Sequence, residues 1–251
     1  MDPQRQLILD QFTRQAHLFR EMHARDDREI HQLLLRTAEI TEEDNVLDVA
    51  CGPGLVACEV ARVARNVTGI DLTPEMLDQA RAHQNSLGLT NLTWTRGDAQ
   101  ALPFPDDTFS RVVTRYSFHH FTDPQAVFTE MVRVCRPGGR ITVCDVFTTS
   151  AEQAQLYDRL ELYRDPSHTH ALQLSEFEEL FSGLSQHRQE FYQYPVDVED
   201  LLSRAFPDPG GAEAFRKMVA EDIGVNRIGI NANRDNGLGF AFPVIILSGQ
   251  K

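Results

Sequence analysis

Apolar residues along the chain follow two alternating patterns, and this alternation predicts the fold. Between residues 45 and 147, short apolar runs such as NVLDVA, VTGIDL and ITVCDVF are separated by stretches with apolar residues at helical spacing. A continuous apolar run of strand length is typical of a strand that is buried on both faces. Regular alternation of such strands with helices indicates a parallel sheet covered by helices on both sides. We therefore predict an α/β fold with a Rossmann-like, doubly wound sheet.

One of these helices, TPEMLDQARAHQNSLG, has its boundaries marked in the sequence. Thr73 is a residue type favoured at the N-cap, Pro74 follows at the first helical position, and Gly88 lies just past the last turn. The order of these signals predicts a helix between Thr73 and Gly88.

The segments on either side of this alternation contain other elements. Residues 1–40 are predicted to be helical, with Phe12, Phe19 and His23 at helical spacing. Residues 149–205 are largely helical apart from the predicted strand HRQEFYQYPV, and the tail GLGFAFPVIILSG is predicted to form another strand. We expect a single domain with four parts: an N-terminal helical lid (1–40), a ligand-binding core (41–148), a helical cap over the substrate (149–235) and a final strand (236–251).

Composition and charge exclude several kinds of partner. The chain of 251 residues has a net charge of −13 and no basic cluster, so its surface repels the phosphate backbone of nucleic acids. Its four cysteines form no CxxC pair and lie near no histidine at zinc-ligand spacing, so we expect no metal site. No apolar segment is long enough to cross a bilayer, and the polar N-terminus differs from a secretory signal. We expect a cytoplasmic protein that acts on a small molecule.

The run VLDVACGPGLVA predicts a strand that turns sharply into a helix, with a ligand against the turn. Gly52, Gly54 and Ala57 match the pattern G-x-G-x-x-G/A, and glycine lets a ligand approach the backbone closely. Asp71 ends the next apolar strand, at about the 20-residue spacing of an acid that binds a ribose diol. These residues predict an adenosine-type ligand and fit both NAD and S-adenosylmethionine (SAM).

Three further features favour SAM. Asp48 lies inside the strand before the turn, where a carboxylate would repel a pyrophosphate but attract the ammonium and sulfonium of SAM. In RGDAQALPF, Asp98 is placed to accept a hydrogen bond from the adenine amino group, with Ala99 and Leu102 against the ring. The segment RPGGR predicts a tight turn immediately before the fifth strand.

Four segments, LDVACGPG, GIDLTPEML, RGDAQALPFPDDTF and VCRPGGRITVCDVF, resemble in order and spacing the class I SAM-dependent methyltransferases. Within this family the chain is similar to the small-molecule methyltransferases of ubiquinone and menaquinone biosynthesis, but it lacks the signatures specific to the quinone-pathway enzymes. The resemblance covers residues 40–150 and implies SAM as the cofactor. It also implies a seven-stranded, mostly parallel sheet whose last strand runs antiparallel, between the fifth strand and the HRQEFYQYP strand.

The resemblance also implies which residues bind SAM, and they follow the carboxyl ends of the predicted strands. The methionine part would be held by Asp48 and the backbone around Ala50, Gly52 and Gly54, the ribose by Asp71, and the adenine by Leu72, Met76, Asp98 and Ala99, with Arg115 near the methionyl end. The implied function is methyl transfer to an oxygen, nitrogen or carbon atom of a small organic molecule.

The segment RYSFHHF supplies the candidate catalytic side chains Tyr116, His119 and His120. A histidine near the carboxyl end of a strand can titrate near neutral pH and act as a general base, and His119 is our first candidate. Alternatively, one histidine caps the following helix and the other packs in the core. In the cap segment DPSHTH, His168 and His170 would contact the substrate or brace a loop rather than bind a metal.

Two other functions share parts of this pattern. A SAM-binding protein that transfers no methyl group, such as a cyclase or a decarboxylase, would carry the same cofactor motifs. An NAD-linked oxidoreductase would share the glycine turn and Asp71 but would leave Asp48 and RPGGR unexplained.

Overall fold

A central sheet organises the structure, a computed structural model that describes residues 3–16 and 28–251. Its seven strands are β1 (Asn45–Val49), β2 (Asn66–Asp71), β3 (Leu92–Arg96), β4 (Phe109–Arg115), β5 (Cys135–Val146), β6 (Ser185–Asp197) and β7 (Gly239–Gln250). Their order across the sheet is β3-β2-β1-β4-β5-β7-β6. All neighbours pair in parallel except β7, which runs antiparallel to both β5 and β6. The predicted fold, including the insertion of the last strand, is confirmed.

Helices cover this sheet and continue beyond it. They are α1 (Pro3–Gln15), α2 (Arg28–Thr37), α3 (Leu55–Ala61), α4 (Pro74–Leu87), α5 (Pro124–Val134), α6 (Ala151–Arg164), α7 (Leu174–Phe181), α8 (Val198–Leu202) and α9 (Gly211–Asp222), with a short 3-10 turn at Phe118–His120. The α4 boundaries follow the predicted signals, because Thr73 precedes the helix and Gly88 ends it in a left-handed conformation with φ 66°. Among the helices of the described residues, none combines the length and apolar character that a membrane span needs.

Two element boundaries differ from the prediction. The fifth strand begins at Cys135 rather than after RPGGR, because Cys135 already pairs with Phe109 and the pairing resumes at Arg140 opposite Arg111. The intervening residues form an irregularity in the strand, with Gly138 at φ 73°. The predicted N-terminal helix contributes α1 and α2, whereas Phe19 and His23 lie outside the described residues.

The apolar core has three clusters. One face of the sheet packs against α5 and α7, and the other packs against α2 and α3. A third apolar cluster joins α6, α9 and the start of β7, through side chains such as Tyr157, Phe215 and Phe240. This third cluster lies beyond the carboxyl end of β5 and includes helices of the predicted cap.

Candidate active site

A cavity of about 330 Å³ lies at the carboxyl ends of β1 to β5. This is the end of an open α/β sheet at which ligands bind. The helix α1 and the cap contribute to its walls through Phe12, Tyr157 and Glu161. The predicted site residues that line it are Asp48, Ala50, Gly52, Asp71, Leu72, Met76, Asp98, Ala99, Arg115, Tyr116, His119 and His120.

The turn after β1 brings the backbone to the edge of this cavity. Ala50 and Gly52 both have left-handed backbone conformations, with φ of 53° and 51°. Such a conformation is unfavourable for alanine and is frequent at functional sites. A Cβ atom added to Gly52 would meet no atom within 4 Å, so the glycine leaves open space beside the turn.

Asp71, at the end of β2, holds this turn in place. Its two carboxylate oxygens accept hydrogen bonds from the backbone N–H groups of Gly52 and Thr73, each at 2.8 Å. Burial raises the pKa of Asp71 and outweighs these hydrogen bonds, which lower it.

Leu102, predicted to lie against the adenine ring, packs in the core and does not line the cavity. Gly54 is the other predicted site residue that does not line the cavity. It precedes α3 with φ 79°, and an added Cβ atom would lie 2.6 Å from Trp94 Cη2 and 3.0 Å from Ala80 Cβ. The second glycine of the motif is therefore required by helix packing and by its left-handed conformation.

Asp48 places an unpaired carboxylate oxygen in the interior. The residue is 1% exposed, and its Oδ2 has no hydrogen-bond partner within residues 3–16 and 28–251. Burial raises the pKa of Asp48 to about 8, against a backbone hydrogen bond from Ala57 that lowers it. A positively charged group in the cavity would stabilise the ionised carboxylate and satisfy this oxygen.

Apolar side chains and one acid form the end of the cavity near β3. Leu72, Met76 and Ala99 line it, and Asp98 forms an ion pair with Arg5 of α1. The same helix donates a hydrogen bond from Gln4 to the Ser167 carbonyl at 2.7 Å. The helix therefore connects the core of the fold to the cap.

Arg115, at the end of β4, is held by two aromatic neighbours. Its Nη1 lies 2.7 Å from His31 Nε2, and its guanidinium carbon lies 4.5 Å from the centre of the Tyr116 ring. Burial, and then the charge of Arg115, lower the pKa of His31 to about 3, so His31 accepts this hydrogen bond in its neutral form. Tyr116 has a left-handed backbone with φ 53°.

His119 and Asp145 form a hydrogen-bonded pair across two neighbouring strands. His119 Nδ1 lies 2.6 Å from Oδ1 of Asp145, which is fully buried near the end of β5. Asp145 Oδ2 also accepts the backbone N–H groups of Ser117 and Phe118. Burial alone would lower the pKa of His119, but the Asp145 carboxylate outweighs it and raises the pKa. Because Nδ1 donates to Asp145, Nε2 is the basic nitrogen of the neutral ring.

His120 has the opposite electrostatic environment, although its ring centre is only 4.2 Å from that of His119. Its Nδ1 donates to the Ser167 carbonyl at 3.0 Å, and the Phe12 ring packs edge-on at 5.1 Å. Burial, and then the neighbouring His119, lower the pKa of His120 to about 3. His120 therefore stays neutral and connects the turn to the cap, whereas His119 has an acid that can stabilise its protonated form.

Known proteins with similar sequences identify the family. A family model described as a methyltransferase domain matches residues 47–143. The uncharacterised methyltransferase YcgJ of Bacillus subtilis is 30% identical over 209 residues, which cover 82% of this chain and 81% of YcgJ. The chain belongs to the class I SAM-dependent methyltransferases. The demethylmenaquinone methyltransferase of Tropheryma whipplei is 38% identical over 108 residues, or 42% of this chain and 43% of that enzyme.

Solved structures of class I methyltransferases share the whole architecture. The YcgJ crystal structure superposes with a TM-score of 0.82 at 25% identity, covering 89% of this chain and 98% of YcgJ. The methyltransferase candidate BH2331 of Bacillus halodurans gives a TM-score of 0.80 at 25% identity, covering 88% of this chain and 98% of its own. The chain is therefore an enzyme that transfers methyl groups.

Sequence reasoning missed part of this methyltransferase site. Asp145 carries the one available signal, because it is a charged residue inside the apolar run ITVCDVF. Glu161 and Arg164 in α6 line the cavity and form an ion pair with each other. Their spacing on the helix is ordinary for a surface pair, so the sequence does not indicate that they lie beside a ligand.

Proposed function

We propose that this methyltransferase uses SAM and methylates a small, partly apolar organic molecule. The observation that carries the proposal is the buried, unpaired Oδ2 of Asp48 beside the open space at Gly52. SAM has a positively charged ammonium group and a positively charged sulfur, and either charge would satisfy a carboxylate in this position. A pyrophosphate brings no cation to this carboxyl group and would be repelled by its ionised form.

Different residues around the cavity would bind different parts of SAM. Asp48 and the backbone of Ala50 and Gly52 would hold the methionine part, and Asp71 would accept the ribose hydroxyls. The remaining residues proposed for the nucleoside and the methionyl carboxylate are Leu72, Met76, Asp98, Ala99 and Arg115. The acids among these residues would accept hydrogen bonds from cationic groups and hydroxyls, and the apolar side chains would pack against the adenine ring.

We propose His119 as the general base and Asp145 as the residue that orients it. SAM, when bound, supplies a methyl group that its positively charged sulfur has already activated. The protein then has to hold the accepting atom in line with this methyl group and remove a proton from it. His119 Nε2 can take that proton, because Asp145 fixes the proton on Nδ1 and stabilises the imidazolium that results. Tyr116 lines the same part of the cavity and would position the accepting group.

Contacts with the cavity support the proposed division of the domain into a lid, a core and a cap. Helix α1, within the lid of residues 1–40, and helix α6, within the cap of residues 149–235, both line it. Closure of these elements over the acceptor would exclude water from the reacting atoms. Tyr157 and Phe242 provide apolar surface for the acceptor, and the volume of about 330 Å³ suits small ligands.

The first test is isothermal titration of the purified protein with S-adenosylhomocysteine (SAH), the product of methyl transfer, and with NADH in parallel. We expect one SAH site per chain and no heat from NADH. A screen of small hydroxylated and amino compounds for SAM-dependent SAH release would follow. Binding of NADH alone would refute the proposed cofactor, and SAH binding without release from any acceptor would contradict the proposed substrate class.

A further inference from the structure

A second histidine paired with an aspartate lies on the cap side of the cavity. His168 follows α6, lines the cavity and is 3% exposed. Its Nε2 lies 2.8 Å from Asp158 Oδ1, whereas its Nδ1 is buried and has no hydrogen-bond partner among the described residues. Buried polar atoms are satisfied in nearly all folded proteins, so an unsatisfied nitrogen on a cavity wall is available to a ligand or a water molecule.

The surroundings of Asp158 determine which kind of contact this nitrogen can make. Asp158 accepts hydrogen bonds from His168, from His170 Nδ1 at 2.9 Å and from the Ala171 backbone N–H at 2.7 Å. A carboxylate with three donors stays ionised and accepts only, so the His168 proton lies on Nε2. In the neutral ring, Nδ1 is therefore a hydrogen-bond acceptor.

His119 offers a second acceptor beside His168 on the cavity wall. The ring centres of His119 and His168 are 5.6 Å apart, and each ring has one nitrogen fixed by an aspartate. Glu161, which also lines the cavity, adds a buried Oε1 without a partner among the described residues. Two acceptor nitrogens and one carboxylate oxygen thus border the space that the acceptor molecule would fill.

We propose that His168 is a substrate-positioning residue and that the methyl acceptor carries two neighbouring hydroxyl groups. The inference rests on the proposed function, with one hydroxyl at His119 as the methylated group and the other donating to His168. Two hydroxyl groups would supply one donor to each of the two acceptor nitrogens. A metal ion does not explain the arrangement, because within the described ranges no three His, Cys, Asp or Glu side chains are spaced to hold one.

The test uses catechol, a small aromatic diol, and phenol as probes for SAH-loaded full-length protein. We expect wild-type protein to bind catechol at least about fivefold more tightly than phenol, because only catechol supplies the second donor. His168→Phe should remove this preference. His170→Phe is the matched control, because it also removes one donor from Asp158 but changes a residue that is not part of the cavity wall.

A second measurement keeps the proposal testable if His168→Phe does not fold. Catechol should shift the ¹⁵N resonance of His168 Nδ1 in the wild-type protein, whereas phenol should shift only that of His119. Equal affinity for the two probes, binding of neither, or loss of the preference in both variants would overturn the proposal. SAH titration distinguishes failure of this inference from failure of the proposed function, because only the proposed function is refuted by an absence of SAH binding.

Discussion

The two halves of the cavity differ in how three of their buried aspartates are paired. In the half toward β1 to β3, which we call the nucleoside half, Asp48 has an oxygen with no partner among the described residues. In the half toward the cap, the acceptor half, Asp145 and Asp158 are both bonded to histidines. An unpaired buried acid attracts a cation, whereas an acid bonded to histidine makes the other ring nitrogen a base. The comparison predicts that substitutions in the two halves affect different measurements.

The largest effect should come from the acceptor half. His119→Asn removes the proposed base, and we expect turnover to fall by about 10²- to 10⁴-fold while SAH affinity stays unchanged. The rate of SAH release with the best acceptor from the screen measures the first quantity, and calorimetry measures the second. His120→Asn is the neighbouring control, because His120 donates to Ser167 and its pKa of about 3 makes it a poor base. Equal losses in both variants would contradict the assignment.

In the nucleoside half, Asp71→Ala should weaken SAH binding by about 10- to 100-fold, because the variant loses acceptors for the ribose hydroxyls. Turnover at saturating SAM should change less. Asp78→Ala is the control: it removes an exposed acid on α4, the helix that follows β2, and should leave the affinity unchanged. Asp71 also holds Gly52 and Thr73, so thermal unfolding of the variant should accompany the titration. Unchanged affinity would remove Asp71 from the proposed site.

The nucleoside half could be predicted from the sequence because its parts lie at the ends of adjacent strands. Asp48 and Gly52 belong to one strand-turn segment, and Asp71 ends β2, which pairs directly with β1. Parallel pairing of consecutive strands is enough to bring these residues together. Gly54 shows the limit of such motif matching, because its conformation and its packing against Trp94 account for the glycine without a ligand.

The acceptor half could be predicted only in part, because its pairs join segments that are distant in the chain. His119 follows β4 and Asp145 lies near the end of β5, so the pair depends on strand order. His168 depends on the loop after α6, whose path is set by bonds to Asp158 rather than by a sequence motif. The early start of β5 at Cys135 was missed for the same reason, since pairing with Phe109 leaves no local signal.

The unpaired Asp48 should make SAH affinity depend on pH. Its pKa of about 8 means that the free protein holds a proton there at neutral pH, and binding of the SAH ammonium must release it. Affinity should therefore rise about fivefold from pH 7 to pH 8 in the wild type. Asp48→Asn should bind more weakly and without this rise. His119→Asn tests a second titratable group that lines the cavity and should keep the rise. A rise that persists in Asp48→Asn would assign the proton to another residue.

The smallest effect should come from α1, which lines the nucleoside half. Arg5 forms an ion pair with Asp98, the residue proposed to accept the adenine amino group, and the Arg5 side chain is 42% exposed. An exposed ion pair contributes little to stability, and an adenine bound to Asp98 would have to displace Arg5 from it. Arg5→Gln should therefore raise SAH affinity roughly twofold, and the effect should be larger at low salt than at high salt. Arg14→Gln on the same helix lies away from the cavity wall and should have no effect. A loss of affinity in Arg5→Gln would show instead that α1 contributes directly to binding of the nucleoside.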